Sequence, residues 1–247
     1  MNNPLEQYGI PAEYADAAQK IARDAIMQMM KNEKATKVER FRRLNKFAKK
    51  GQILFVGSSL MEQFPVGELL MSMGHPLTIY NRGVGGFTTD ELIPVMDACC
   101  YELEPKHIFI NIGTNDLSNP AYTKEKLIAN YETILDGIKE HLPNAKVHVM
   151  AYYPGNPEYG MKQNSYMAMA GVFKIRTNER IAEANEAVRE MAERRGLDYY
   201  DFGDGLKDEN GSLKVEYTVE GMHFYGDGYM TVLERMLPVL DALEEKD

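Results

Sequence analysis

The sequence predicts an α/β fold of three layers, with helices on both faces of a central, mostly five-stranded parallel sheet and a helical extension at the N-terminus. Three observations predict it. Five short apolar runs, rich in β-branched and aromatic residues, alternate with helical patterns from residue 52 onward. Each run is apolar at most positions rather than at every second one, as expected of strands covered on both faces. No repeat, low-complexity tract or linker interrupts the alternation, and such an order implies right-handed crossovers between parallel neighbours. The boundaries read from this pattern are an extension over residues 1–50 and one domain over 51–247.

Within the extension, Pro11 to Met30 reads as a helix with Ala17, Ala18, Ile21, Ala22, Ile26 and Met29 expected in the core. Lys31 to Lys50 carries nine basic and two acidic side chains. There Val38, Phe41, Leu44, Phe47 and Ala48 recur at helical spacing, which predicts an apolar stripe packed on the body and a basic face in water. The rest of the chain carries −16 (−9 minus +7) and can partner that face internally. An anionic membrane surface, a nucleic acid or an acidic partner chain stays as the alternative.

The strands are read at 53–57, 77–83, 107–113, 146–152 and 197–202, and the helices at 88–102, 123–141, 176–195 and 226–244. The third of these helices ends on Arg194, Arg195 and Gly196, a C-terminal stop signal.

Composition narrows the class. With 37 acidic and 28 basic side chains among 247 residues, the net charge of −9 disfavours general nucleic-acid binding. No apolar run reaches the roughly 18 residues of a membrane helix. The first residues lack a basic segment followed by an apolar one, so no signal peptide is expected. Cys99 and Cys100 are adjacent, which suits neither a disulfide nor a metal site. A cytoplasmic setting follows, and homo-oligomerisation stays open. The Met residues read as gap-filling core rather than a cofactor box.

In open parallel sheets ligands bind at the carboxyl ends of the strands. The segments expected there are Gly57-Ser58-Ser59-Leu60, Asn81-Arg82-Gly83-Val84-Gly85-Gly86 and Gly113-Thr114-Asn115-Asp116, all small and polar. The fourth loop, Tyr152 to Phe173, has the length of a wall or lid. There Tyr152, Tyr153, Tyr159 and Met161 are candidates for the leaving-group side or for plain packing.

Ser59 fits a nucleophile on a strand-to-helix turn, although Ser59 to Glu62 taken alone fits a helix capping box better. Ser58 is its neighbour and rival. His223 lies in a turn-rich segment three residues after Glu220, a spacing that lets the carboxylate turn back to Nδ1 and leave Nε2 to take a proton from a serine. Gly86 offers a backbone N–H to an oxyanion, or a tight turn before the capping box Thr88 to Glu91. Asn115 offers a side-chain donor for the same oxyanion, or a turn.

In this order, after successive strands, the four segments resemble the SGNH hydrolases, the GDSL family of esterases and lipases, over about residues 52 to 240. The resemblance implies a flavodoxin-like sheet, Ser59 as nucleophile, His223 as base, Glu220 as the acid beside it, and an oxyanion hole of Ser59, Gly86 and Asn115. It implies a serine esterase acting on small acyl esters, acetyl esters of carbohydrates among them, through an acyl-enzyme and with no metal or organic cofactor; lipid esters, thioesters and acyl transfer to another acceptor stay open. Ser58 and Glu220 stand where the family usually has Asp. For Glu220, another acid or a backbone carbonyl in a Ser–His dyad is the alternative orienter. A nucleotide- or phosphate-binding module using Gly83-Val84-Gly85-Gly86, and a catalytically inactive scaffold acting through the basic helix, are the other readings. The glycine spacing lacks the dinucleotide-binding pattern and there is no Walker lysine.

Overall fold

The computed structural model describes residues 8–9, 12–162 and 171–244. Five strands, β1 (Ile53–Gly57), β2 (Ile79–Asn81), β3 (His107–Asn111), β4 (Lys146–Met150) and β5 (Asp198–Tyr200), form one sheet in the order β2-β1-β3-β4-β5. Every neighbouring pair is parallel. The chain runs from β1 outward to β2 and then back across β1 to β3. The order therefore reverses beside β1 and β3, where crossovers diverge and a crevice opens at the strands' carboxyl ends.

All five residues of β1 and of β3 are buried, yet their side chains still alternate between two cores. Leu54, Val56, Ile108 and Ile110 face one layer with Val149, beneath α6 (Lys124–His141) and α8 (Asn178–Arg194), with the short α7 (Pro157–Lys162) between those two in sequence. Ile53, Phe55 and Phe109 face the other with Met150, beneath α3 (Val66–Ser72) and α9 (Gly226–Glu244). Thr123 caps α6 by accepting from the Lys126 N–H at 3.2 Å, and Thr177 caps α8 through Arg180 at 3.3 Å. Gly196, at φ +66°, closes α8 in the left-handed conformation that glycine adopts without strain.

Two readings of helices need correction. The segment 88–102 is not one helix but α4 (Thr89–Leu92), a 3₁₀ turn over Ile93–Val95, α5 (Met96–Cys99) and a second 3₁₀ turn over Tyr101–Leu103. Pro94, without an N–H and with a ring that crowds the preceding turn, interrupts it. Between β1 and β2 lie α2 (Ser59–Glu62) and α3, too short for periodicity to reveal.

The N-terminal extension is one helix, α1 (Ala12–Asn45), rather than two. Its last third docks on the body. Val38 is buried, and Phe41 lies 5.0 Å from the Arg82 guanidinium. Asn45 accepts from Arg82 Nε at 3.0 Å and donates to the Ala98 carbonyl at 2.8 Å. The expected stripe is overturned at Leu44 and Phe47, which are exposed, because Asn45 turns inward and the helix ends there. It is overturned further upstream as well. Ala17, Ile21, Ala22, Ile26 and Met29 are exposed and Ala18 is half-buried, because that half of α1 extends past the body. No helix among the described residues is long and apolar enough to cross a membrane.

Candidate active site

β1 delivers Ser58 and Ser59 to the carboxyl rim. Gly57 must be glycine, since a Cβ there would lie 2.2 Å from the Asn111 carbonyl oxygen. Ser58 is buried and occupies the N-cap of α2 without a side-chain cap bond, its N–H donating to Asn111 at 3.3 Å. Ser59 is the first residue inside α2, so the capping-box alternative does not describe it. Its Oγ lies 2.8 Å from Nε2 of His223.

His223 sits in a turn that doubles back on itself. Val219 N–H and Thr218 Oγ1 both donate to the His223 carbonyl, at 2.9 and 3.0 Å, and Gly221 N–H donates to Thr218 Oγ1 at 2.8 Å. The fold of this turn brings Glu220, itself buried, to 2.5 Å from His223 Nδ1. These contacts assign the tautomer with the proton on Nδ1, donating to the carboxylate, and leave Nε2 free to accept from the hydroxyl. Gly221, directly after Glu220, has a φ of +97°, a conformation that glycine adopts without strain.

The second and third loops complete the rim. Gly83 N–H donates to Asn81 Oδ1 at 2.9 Å, and a Cβ on Gly83 would lie 2.3 Å from the Glu62 backbone nitrogen, so loop and α2 are in backbone contact. Glu62, far from capping α2, accepts the Gly85 N–H at 2.5 Å through Oε2. The N–H of Gly86 has no acceptor among the described residues. Asn115 spends one amide hydrogen on the Phe87 carbonyl at 3.0 Å and has a second. Asp116 joins the third loop to the second by accepting the Thr89 N–H at 3.0 Å, and the capping box of Thr88 and Glu91 forms as expected.

The structure thus brings together Ser59, His223, Glu220, Gly86 and Asn115. Ser59, Gly86, Asn115 and His223 line one outer cleft of about 440 Å³, together with Met30, Lys34 and Lys37 of α1. Behind Ser59 a second cavity, of about 20 Å³, is walled by Leu60, Thr114, Tyr153, Phe173, Ile181 and Met222. Of the four fourth-loop candidates only Tyr153 lines a cavity beside Ser59. Tyr152 is core, its hydroxyl donating to the Ile112 carbonyl at 2.7 Å, and Met161 points half-exposed into solvent. Positions 163–170 of that loop lie outside the described residues.

Two features escaped the sequence reading. Lys34 and Lys37 of α1 reach the rim. Lys34 Nζ donates to the Gly86 carbonyl at 2.8 Å, and Lys37 bridges Glu33 at 2.9 Å and Glu62 at 2.8 Å. The other is Arg176, on the bend before α8, buried and lining both cavities. Burial lowers its guanidinium to about 10, against an opposing pull from Glu220, so it remains a cation at neutral pH. The remaining histidines take no part: His75 pairs with Asp241, His107 with His148, and His141 with the Gly137 carbonyl. Among the described residues no group of three His, Cys, Asp or Glu side chains is placed to hold a metal ion.

Comparison with known proteins adds the family. The sequence model of the GDSL-like lipase/acylhydrolase family matches residues 66–230, a span that holds Gly86, Asn115, Glu220 and His223 and begins just after Ser59. The human platelet-activating factor acetylhydrolase IB subunit alpha2 is 23% identical over 200 residues, covering 80% of this chain and 80% of its own. Among solved structures, a Streptococcus pneumoniae protein described as a candidate platelet activating factor superposes with a TM-score of 0.79 at 28% identity, over 90% of this chain and 99% of that one. A GDSL-like lipase from Bacteroides thetaiotaomicron gives 0.66 at 19%, over 83% and 98%. An acetyl xylan esterase gives 0.60 at 15%, over 76% and 98%.

Proposed function

The chain belongs to the GDSL-like lipase/acylhydrolase family and is an ester hydrolase; from that premise we propose that it removes small acyl groups, acetyl above all, from alcohol oxygens, with Ser59 as nucleophile. The observation that carries this reading is the 2.8 Å contact between Ser59 Oγ and His223 Nε2, two groups 164 residues apart in sequence. A serine hydroxyl is a weak nucleophile unless a neighbouring base takes its proton, and a base already in hydrogen-bond contact is the arrangement that activation requires.

His223 Nε2 takes the Ser59 proton as Oγ attacks the ester carbonyl. The carbonyl oxygen becomes an oxyanion that accepts hydrogen bonds from the N–H groups of Ser59 and Gly86 and from Asn115 Nδ2. Glu220 holds the imidazole by Nδ1 and stabilises the imidazolium. His223 then returns the proton to the departing alcohol oxygen as the C–O bond breaks, leaving Ser59 acylated. A water molecule, deprotonated by the same Nε2, repeats the attack and releases the carboxylic acid.

The size of the acyl group is argued from the inner cavity. At about 20 Å³ it accommodates little beyond a methyl group, and Leu60, Phe173, Ile181 and Met222 give it apolar walls beside Thr114 and Arg176. The names of the acetylhydrolase and acetyl xylan esterase relatives point the same way. We take residues 51–247 as the hydrolase domain and 1–50 as its extension, with α1 contributing to the cleft wall.

Hydrolysis of 4-nitrophenyl acetate by the wild-type protein, Ser59→Ala and His223→Ala tests the reading. Both variants should lose at least about 10³-fold in kcat, and a fluorophosphonate should label Ser59. A folded Ser59→Ala protein with full activity overturns the assignment, and a label on Ser58 moves the nucleophile by one residue.

A further inference from the structure

The charged side chains lining the outer cleft are paired, with one exception. Lys34 pairs with Glu91 at 2.8 Å, Lys37 with Glu33 and Glu62, and His223 with Glu220. Arg176 has no carboxylate within ion-pair distance among the described residues, although it is 6% exposed. Its contacts are meagre for so buried a cation. Nη1 donates to the Thr114 carbonyl at 3.1 Å, and Nη2 is directed at the Met222 sulfur, a weak acceptor. A guanidinium presents five N–H donors in a planar fork. Among the described residues a single carbonyl oxygen satisfies one of them. Glu220 attracts the cation through space without contacting it, and a buried charge with no partner in contact is costly and ordinarily paired.

The position of Arg176 gives the vacancy a meaning. Arg176, Ser59 and Met222 are shared by the inner cavity and the outer cleft, so the cation stands at the junction between them. The inner cavity is too small for an acyl chain that ends in a carboxylate. The outer cleft has room for the alcohol part of an ester.

Resting on the ester-hydrolase reading of this same cleft, the geometry points to Arg176 as an anion-recognition residue: the alcohol released by this enzyme carries an oxyanionic group, a carboxylate or a phosphate, that takes the unfilled fork of Arg176. Two parallel N–H···O bonds from one guanidinium to a carboxylate or phosphate provide both charge and orientation. With the anion in that fork, the ester is held at a fixed distance from Ser59. The free enzyme keeps the cation oriented through Thr114, the residue before Asn115.

The test uses three acetyl esters of one shape: 4-acetoxybenzoate, 4-acetoxyphenyl phosphate and neutral 4-acetoxybenzamide. For the wild-type protein kcat/KM should be at least about ten-fold higher for one or both anionic esters than for the amide, mostly through KM. The two anionic arms distinguish carboxylate from phosphate. Arg176→Gln should lower kcat/KM for the preferred anionic ester at least ten times further than for the amide, and Arg176→Lys should recover part of that difference. A measurement that needs no variant accompanies it: 4-hydroxybenzoate or 4-hydroxyphenyl phosphate should inhibit the wild-type protein competitively, at least ten-fold more tightly than 4-hydroxybenzamide. Equal use of all three esters by the wild type overturns the inference. So does an Arg176→Gln protein that loses the same factor on each, which marks a merely structural contact to Thr114. Neither outcome bears on Ser59, whose own substitution decides the underlying reading.

Discussion

Lys34 Nζ donates to the carbonyl of Gly86, 52 residues further along the chain, and holds the Glu91 carboxylate at the same 2.8 Å. Lys37, one turn on, grips Glu62, which in turn accepts the Gly85 N–H. Two lysines of α1 thus fasten both peptides whose direction decides where the Gly86 N–H points. Gly86 has φ +76°, a conformation open to glycine and therefore easily lost to others nearby.

Lys34→Met should lower kcat for 4-nitrophenyl acetate by about ten-fold, a fraction of what an oxyanion donor supplies, with KM changed less. Lys34→Arg should restore part of the loss. Steady-state kinetics, with melting temperature as a control, check this, and a loss in stability matching the loss in rate would argue against positioning.

Glu220→Gln should keep the fold and lower kcat by about 10² to 10⁴-fold, because an amide no longer fixes the His223 tautomer or stabilises its cation. Glu220→Asp withdraws the carboxylate by one methylene from a contact of 2.5 Å and should fall between the two. The pair of rates separates an orienting Glu220 from a Ser–His dyad, in which both substitutions would be nearly silent.

The proposed small-acyl preference rests on the cavity beside Ser59. Acetyl esters should be cleaved at least ten-fold faster than butyryl esters, and Ile181→Ala, which enlarges that cavity, should raise the butyryl-to-acetyl ratio about five-fold or more. It should also cost about 2–4 kcal/mol of stability, the usual result of trimming a buried aliphatic side chain. Chromogenic esters of graded length and urea denaturation measure both.

Gly83→Ala should destabilise strongly or prevent folding, since its Cβ would lie 2.3 Å from a backbone atom of α2. Gly67→Ala, in α3 with nothing near its Cβ, should instead stabilise by about 0.5–1 kcal/mol. Melting temperatures of the two variants should shift in opposite directions.

His148 stacks on Phe109 at 4.5 Å and contacts His107, and burial first, then His107, lowers it to about 4, against a weaker pull from Asp198. Between pH about 4 and 6.5 the unfolded chain binds the proton that the folded one refuses. Stability from this group is complete above about pH 6.5 and lost as pH falls through about 4, a total on the order of 3 kcal/mol. Urea titrations at stepped pH should show that slope in the wild type and less of it in His148→Gln.

The sequence made the sheet legible where burial enforces a pattern. Runs such as ILFVG and HIFIN are buried at every position, α6 and α8 carry threonine N-caps, and α8 ends before a glycine stop. The rim segments were legible because small and polar residues directly after apolar strands leave few other positions to occupy. What failed was anything decided by distant contacts. The periodicity of Ile21, Ile26 and Met29 announces an apolar side without saying that anything reaches it. Lys34 and Lys37 read as solvated charges because their partners lie in other elements. Arg176 gave one unused signal, a cation directly before the helix cap Thr177, at the end of a loop rich in Tyr, Met and Gly.

The cleft draws on Lys34, Ser59, Gly86, Asn115, Arg176 and His223, positions scattered over nearly two hundred residues of the polymer. A nascent chain emerging from the ribosome would hold the Ser59 hydroxyl long before it held the His223 imidazole. On the proposed assignment of Ser59 and His223, ester cleavage would require that synthesis has passed His223 and that the late turn has settled against the earliest strand, leaving a shorter product silent.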